Sequence, residues 1–138
     1  MGVSNKTFDS TVLKSNGAKK REGGIAGVVV DAGQWVYLNT ATNRYELAQG
    51  DTEAKAEVAG MAEHPANIGQ PLDVIWEGPV TGLTGLTAGE TYTLSDDSAG
   101  DAMAIGDLAT NHWVTTLGTA PSATTFDIKI HRTGVQHA

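Results

Sequence analysis

The residues best suited to acid–base or metal chemistry in this chain are its four histidines, because unperturbed histidine changes charge near neutral pH. None of them lies in a metal-binding spacing such as HxH or HExxH. His64 precedes Pro65 in a predicted loop, His112 lies in a predicted turn, and His137 is next to the final residue. We expect each of them, and His131, to be a solvated residue rather than a ligand.

Carboxylates occur in pairs on predicted turns. The segment SDDSAGD (residues 95–101), with Asp96 and Asp97, loosely resembles an acidic calcium loop, but it lacks the alternating ligands and the distal bidentate glutamate. Asp51 and Glu53 form a second pair. The sequence contains neither a nucleophile elbow nor a glycine-rich phosphate loop. It therefore predicts a protein that is not an enzyme and that uses no metal and no cofactor.

The three tryptophans are the remaining conspicuous side chains. A core position on a strand is the expected place for Trp35, Trp76 and Trp113. In QWVYLN, however, Trp35 and Tyr37 share one face of a strand, and Val36 and Leu38 share the other. If the aliphatic pair faces the core, Trp35 and Tyr37 are exposed and suit a sugar-binding platform or a subunit interface. The opposite phase buries them, and the sequence leaves both arrangements open.

Charge is distributed unevenly along the 138 residues. Residues 1–24 carry five Lys or Arg against two Asp or Glu, a net charge of +3, whereas the other 114 residues carry four against 14, a net charge of −10. An acidic body repels phosphate, so we expect no nucleic-acid partner. No apolar run approaches the roughly 20 residues that span a bilayer, so we expect no membrane partner. Residues 1–24 are predicted to form an extended basic N-terminal arm.

The rest of the chain has the period-two alternation of half-buried strands, interrupted by turn residues. We expect one all-β domain over residues 25–138, a small β-sandwich or barrel, with at most one short helix near residues 50–64. The predicted strands are Ala26–Val30, Trp35–Asn39, Tyr45–Ala48, Glu57–Ala62, Leu72–Gly78, Thr91–Ser95, Ala102–Ile105, Trp113–Gly118 and Phe126–His131.

The sequence also contains an internal echo. DAGQWVYLN (31–39) and TAGETYTLS (87–95) are aligned by placing Gly33 on Gly89, and similar turns and strands follow each of them. The pattern predicts two tandem pseudo-repeats, about 25–79 and 80–134. One copy has too few strands to be stable alone, so we expect two copies to share one core.

These same residues carry a resemblance to a known family. GLTAGETYTLSDDSAG (85–100) and IGDLATNHWVTTLGTAPSATTFDIKI (105–130) resemble the closing half of the capsid decoration, or cement, proteins of tailed bacteriophages. GVVVDAGQWVYLNTATNRYELAQ and AGMAEHPANIGQPLDVIWEG resemble the first half. The resemblance covers roughly residues 24–134.

The resemblance implies a non-enzymatic virion protein, assembled in the host cytoplasm, that binds the outer surface of the expanded capsid and clamps neighbouring major capsid subunits. It also implies a homo-oligomer, a trimer in the first place or a dimer, whose N-terminal arm docks on the shell. The candidate contact residues in that arm are Lys14, Lys19, Lys20 and Arg21. The alternative is a receptor- or glycan-binding β domain of a head fibre or tail structure.

Overall fold

The computed structural model describes residues 5–6, 17–83, 85–95, 98–104 and 113–136. Over these ranges the protein is all-β, with ten strands and no helix, which confirms the predicted fold class. In chain order the strands are β1 (Asn5–Lys6), β2 (Lys19–Ile25), β3 (Trp35–Asn39), β4 (Arg44–Leu47), β5 (Val58–Ala62), β6 (Pro71–Val80), β7 (Thr91–Leu94), β8 (Ala102–Ala104), β9 (Trp113–Thr119) and β10 (Phe126–Gln136).

Most predicted strands are present with nearly the predicted ends. The strand predicted over Ala26–Val30 is wrong, because only isolated bridges at Ala26 and Val30 occur there. A strand that was not predicted, β2, lies where the basic arm was expected. The helical signal near residues 50–64 gives a single turn in which Thr52 accepts a hydrogen bond from the Ala56 amide at 3.1 Å.

The strands form one curled antiparallel sheet that contains the same unit twice. The first half has the order β6-β5-β3-β4, and the second half has the order β10-β9-β7-β8. The two units meet where β6 pairs with β10. This topological identity agrees with the predicted duplication.

The ladders of the two halves also match residue for residue, including a bulge at the same place. Between β3 and β5 the partners are Trp35↔Met61, Val36↔Gly60 and Tyr37↔Val58. Between β7 and β9 they are Thr91↔Thr119, Tyr92↔Gly118 and Thr93↔Thr116. Val36 and Tyr92 are therefore equivalent positions, as are Gly60 and Gly118.

A further bulge lies in β6 at Trp76. On β2, consecutive residues Lys19 and Lys20 pair with Glu77 and Ile75, so Trp76 is an extra residue in β6. In a regular strand Ile75 and Val80, five positions apart, would face opposite sides. Because of the bulge, both are buried in the main core.

The main core joins the two halves. It contains Trp35, Phe126 and Tyr92, with ring centroids 5.8 Å apart for Trp35 and Phe126 and 6.0 Å apart for Tyr92 and Phe126, both pairs edge-to-face. Aromatic pairs in this geometry add to the burial of their area. A second, smaller cluster lies on the other face of the first half and contains Val36, Leu72 and neighbouring side chains.

Backbone hydrogen bonds outside the strand ladders also connect the first half of the sheet to the second half. Gly100 accepts from the Trp35 amide at 2.9 Å and donates to the Ala48 carbonyl at 2.7 Å. Gly50 donates to the Ser95 carbonyl and accepts from the Trp113 amide, both at 2.8 Å. The turn at residues 50–57, from the first half, is thereby held against β9 of the second half.

Candidate functional site

The predicted basic arm runs into the sheet. Residues 19–25 form β2, which pairs along β6. The candidate contact residues Lys19, Lys20 and Arg21 therefore lie on an edge strand. Lys14 lies outside the described residues. This placement follows from backbone pairing rather than from any apolar pattern in KKREGG.

Two of the predicted contact lysines form ion pairs inside the chain. Lys19 Nζ lies 3.4 Å from Glu77 Oε2, and Lys20 Nζ lies 3.2 Å from Glu63 Oε1. The hydrogen bond and the attraction of Glu63 raise the pKa of Lys20 above its ordinary value of 10.5. Arg21 makes no ion pair within the described part of the chain. Its exposed side chain borders a groove on the outer face.

Trp76 is exposed, although a core position was expected for it. The bulge turns its side chain outward with 38% of its surface accessible. The Lys19 ammonium lies 5.3 Å from the centroid of its ring, a cation–π contact that holds the indole at the surface.

Of the two arrangements that the sequence left open for Trp35 and Tyr37, the structure has the buried one, so they are not exposed interface aromatics. Trp35 has no accessible surface and Tyr37 has 8%, and both pack in the main core. The reason is the bulge in β6, which turns Trp35 and Tyr37 inward together with Ile75. Val36 instead faces the second cluster, whereas its equivalent Tyr92 faces the main core.

Tyr37 keeps a polar contact at the edge of the core. Its hydroxyl donates to Glu46 Oε1 at 3.3 Å. Burial, followed by the negative charge of Glu46, raises the pKa of Tyr37 above its ordinary value of 10.0. The phenol is therefore neutral over the physiological range, and its role in this structure is to anchor β3 to β4.

The histidines do not form a site in the described residues. His64 Nε2 accepts from the Asp73 amide at 3.2 Å, and its Nδ1 lies 2.9 Å from the Pro65 carbonyl oxygen. Both ring nitrogens thus have backbone partners, which gives His64 a structural role in a loop. His131 is exposed on β10. His112 and His137 lie outside the described residues.

Within the acidic segment 95–101, residues 95 and 98–101 are described and lie between the paired strands β7 and β8. Ser98 donates through its hydroxyl to Asp101 Oδ2 at 2.6 Å, and its amide donates to Ser95 Oγ at 3.1 Å. Asp96 and Asp97 lie outside the described residues. Within the described ranges no three potential metal-ligating side chains come together.

Two adjoining grooves lie on the described surface and share part of their lining. The first, here the Trp113 groove, has a volume of about 260 Å³ and lies between the turn at residues 50–57 and the start of β9. The second, the Trp76 groove, has a volume of about 350 Å³ and crosses the outer face of the first half. Each groove has one tryptophan in its wall, and Glu57 and Arg132 line both.

The shared residues bring the two halves of the duplication together. Arg132 comes from β10 and Glu57 from the turn before β5, and both are exposed. Glu53 adds a second carboxylate to the Trp113 groove, and Arg21 adds a second guanidinium to the Trp76 groove. Sequence reasoning missed this set because its members are far apart in the chain, and no short motif joins them.

No family model, no curated protein and no solved structure matches this chain. In the described residues no helix is long and apolar enough to span a bilayer.

Proposed function

We propose that this chain is a capsid decoration protein of a tailed bacteriophage. It binds the outer surface of the expanded capsid, clamps neighbouring major capsid subunits and catalyses no reaction. The sequence resemblance supports the proposal, because its segments correspond to the strands from which both halves are built. β7 contains the TYTL of the second half, and β10 begins with FDIKI.

The observation that carries the proposal is the position of the basic segment. β2 covers one side of β6, and in the described part of the chain no strand pairs with the other side of Lys19, Lys20 or Arg21. Unpaired N–H and C=O groups of an edge strand accept a strand or loop of a partner. The sequence before β2 adds Lys14, and Lys6 lies on β1, which pairs with β8. A partner with an acidic surface is therefore the best match.

Weak contacts are sufficient for this role. A homo-oligomer, a trimer in the first place, presents several copies of the basic segment to the symmetric shell. Each further contact of a bound oligomer is intramolecular, so avidity exceeds the affinity of one copy. Many copies then raise the free energy needed to separate neighbouring capsid subunits.

The direct test adds purified protein to expanded shells that lack it. We expect the protein to sediment with the shells, to saturate at a number set by the lattice, and to raise the rupture temperature. A variant lacking residues 1–18 is preferable to one lacking residues 1–24, because the shorter deletion keeps β2 on β6 and removes from the described sheet only the two-residue β1, which pairs with β8. We expect this variant to bind more weakly. Shells that bind no intact protein contradict the function, and equal binding of the deletion variant contradicts the role of the arm.

A charge-matched pair sharpens the test. Lys14→Glu and Lys129→Glu change the net charge equally, but Lys129 lies on β10 in the second half. We expect Lys14→Glu to weaken shell binding and Lys129→Glu to leave it close to that of the parent protein. Equal weakening of shell binding by both variants would mean that the net charge of the protein, and not the position of the charge in the arm, determines binding.

The alternative, a domain of a head fibre or tail structure, differs in abundance. Quantitative mass spectrometry of intact virions gives the copy number. A number that follows the capsid lattice agrees with decoration, whereas a handful of copies favours a fibre or tail. The burial of Trp35 also removes the aromatic platform that this alternative had been expected to use.

A further inference from the structure

The Trp113 groove and the Trp76 groove form one continuous surface feature across the junction of the two halves. They meet at Glu57 and Arg132, which line both. We infer that the joined grooves bind a neutral oligosaccharide. This function is additional to shell binding, and Arg21 is the one groove residue named here that also belongs to the arm.

The tryptophans provide the stacking surfaces. Trp76 is 38% exposed and Trp113 is half-buried, so each indole retains accessible surface in its groove. The face of an indole carries partial negative charge, and the C–H groups on one face of a sugar ring carry partial positive charge. One sugar ring can therefore stack on Trp113, and a second on the part of Trp76 that the Lys19 ammonium does not cover.

Polar groups between the tryptophans match the hydroxyls of a sugar. Glu53 and Glu57 offer carboxylate oxygens that accept hydrogen bonds, and Arg132 offers a planar set of donors. In the described part of the chain none of these three side chains takes part in an ion pair. Their hydrogen-bonding capacity is available to a ligand, and bonds to charged groups are the stronger ones.

The charges of the lining point to a neutral ligand. Arg21 and Arg132 balance Glu53 and Glu57, so neither an anionic nor a cationic polymer gains net attraction. The grooves are open and partly polar, unlike the enclosed apolar pockets that take small hydrophobic ligands. A flexible chain of hydroxyl-bearing rings fits both properties.

The first experiment is an array of neutral and acidic bacterial surface oligosaccharides probed with the full-length protein. We expect binding to neutral members, and calorimetric titration of the best one should give an affinity that changes little between low and high salt. No binding to any member overturns the inference. Binding confined to acidic members, with a strong salt dependence, overturns the assignment of a neutral ligand.

The second experiment locates the site. We expect Trp113→Ala and Trp76→Ala each to weaken binding about tenfold or more, as truncation of a buried aromatic anchor does. Glu57→Gln keeps the shape and should weaken binding less. Arg132→Ala should weaken binding, whereas its matched control Arg44→Ala, on β4 outside both grooves, should not. Thermal unfolding of each variant establishes that it is folded. Unchanged binding in both tryptophan variants overturns the inference.

The same variants separate this inference from the proposed function. Trp113→Ala retains the whole N-terminal segment, so it should decorate shells as the parent protein does. Glycan binding without shell binding would remove the proposed function and leave this site standing. Shell binding without glycan binding would do the reverse.

Discussion

The two halves of this protein share a strand order and a bulge position, yet the face that packs into the main core in one half corresponds to the outward face in the other. In the second half Tyr92 and Leu94 point into the main core, while the other face carries an open groove lined by Thr91, Thr119 and neighbours. In the first half the residues equivalent to Tyr92 and Leu94 are Val36 and Leu38, which face outward.

The outward face of the first half is covered over part of its area. Val30 and Ala66 exchange backbone hydrogen bonds at 2.9 Å and bring two loops together over the second cluster. The uncovered part forms the Trp76 groove. Side chains alternate between the two faces of a strand with a period of two. One extra residue in β6 is therefore enough to exchange the side chains that face the main core with those that face outward. The two halves thus have corresponding ladders but different surfaces.

The largest expected effect comes from the contact that unites the halves. Phe126→Ala removes the ring between Trp35 and Tyr92 and should lower the free energy of unfolding by about 3–5 kcal/mol. Denaturant titration measures the change. The control Val135→Ala, at a position 57% exposed, should change it by no more than about 0.5 kcal/mol. A similar small change for Phe126→Ala would mean that the halves do not share this core.

The next largest loss of unfolding free energy is expected from substitutions of the equivalent glycines of the two ladders. A Cβ at Gly60 would clash with the Ile75 carbonyl oxygen, and one at Gly118 with the Asp127 carbonyl oxygen. We expect Gly60→Ala to cost about 1–3 kcal/mol. Gly118→Ala should cost more, because Gly118 also has a φ of 145°.

The control for the glycines is Gly89→Ala. Gly89 has a φ of 84° but open space around its Cα. Gly89→Ala should therefore lower the free energy of unfolding through the backbone conformation alone, by about 1 kcal/mol. Urea midpoints of the three variants give the order. A Gly118→Ala variant no less stable than Gly89→Ala would contradict the close approach of β9 to β10.

A smaller effect depends on pH and is confined to the first half. The raised pKa of Tyr37 means that the folded state binds the phenolic proton more tightly than the unfolded state. This contribution to stability is fully present below pH 10.0, the ordinary value, and is lost as the pH rises through the raised value. Tyr37→Phe should therefore lose less stability than the parent protein between neutral and alkaline pH, as measured by urea midpoints. Equal losses of stability in Tyr37→Phe and in the parent protein would contradict the raised pKa of Tyr37.

The smallest effect concerns the ion pair that ties β2 to the first half. Lys20→Met and Glu63→Gln should each lower the thermal midpoint slightly, and a double-mutant cycle should give a weak coupling that decreases with added salt. A coupling that does not respond to salt would mean that packing, not charge, holds β2 in place.

Strands and their order of appearance were predictable because alternation and turn residues are local signals. Trp35–Asn39 was predicted with its observed ends, and the duplication was visible in the spacing of Gly33 and Gly89. The face that each strand presents was not predictable for the first half. The phase of β3 depends on an extra residue in β6, and nothing in the alternation of QWVYLN reports it.

The basic strand β2 and the two grooves could not be predicted from local sequence patterns, for a different reason. KKREGG has the composition of a solvated tail, but the backbone of β6 offers a free side along most of its length, and β2 pairs there through main-chain groups. Glu57 and Arg132 come together only when both halves are folded. A site of this kind is defined by topology, not by spacing in the sequence.

The most direct measurement is a cryo-electron microscopy reconstruction of expanded shells decorated with this protein. We expect density at repeated lattice positions, with the N-terminal side of β2 against the coat and the Trp113 groove open to solvent. Shells without added density, or a Trp113 groove closed against the coat, would contradict it.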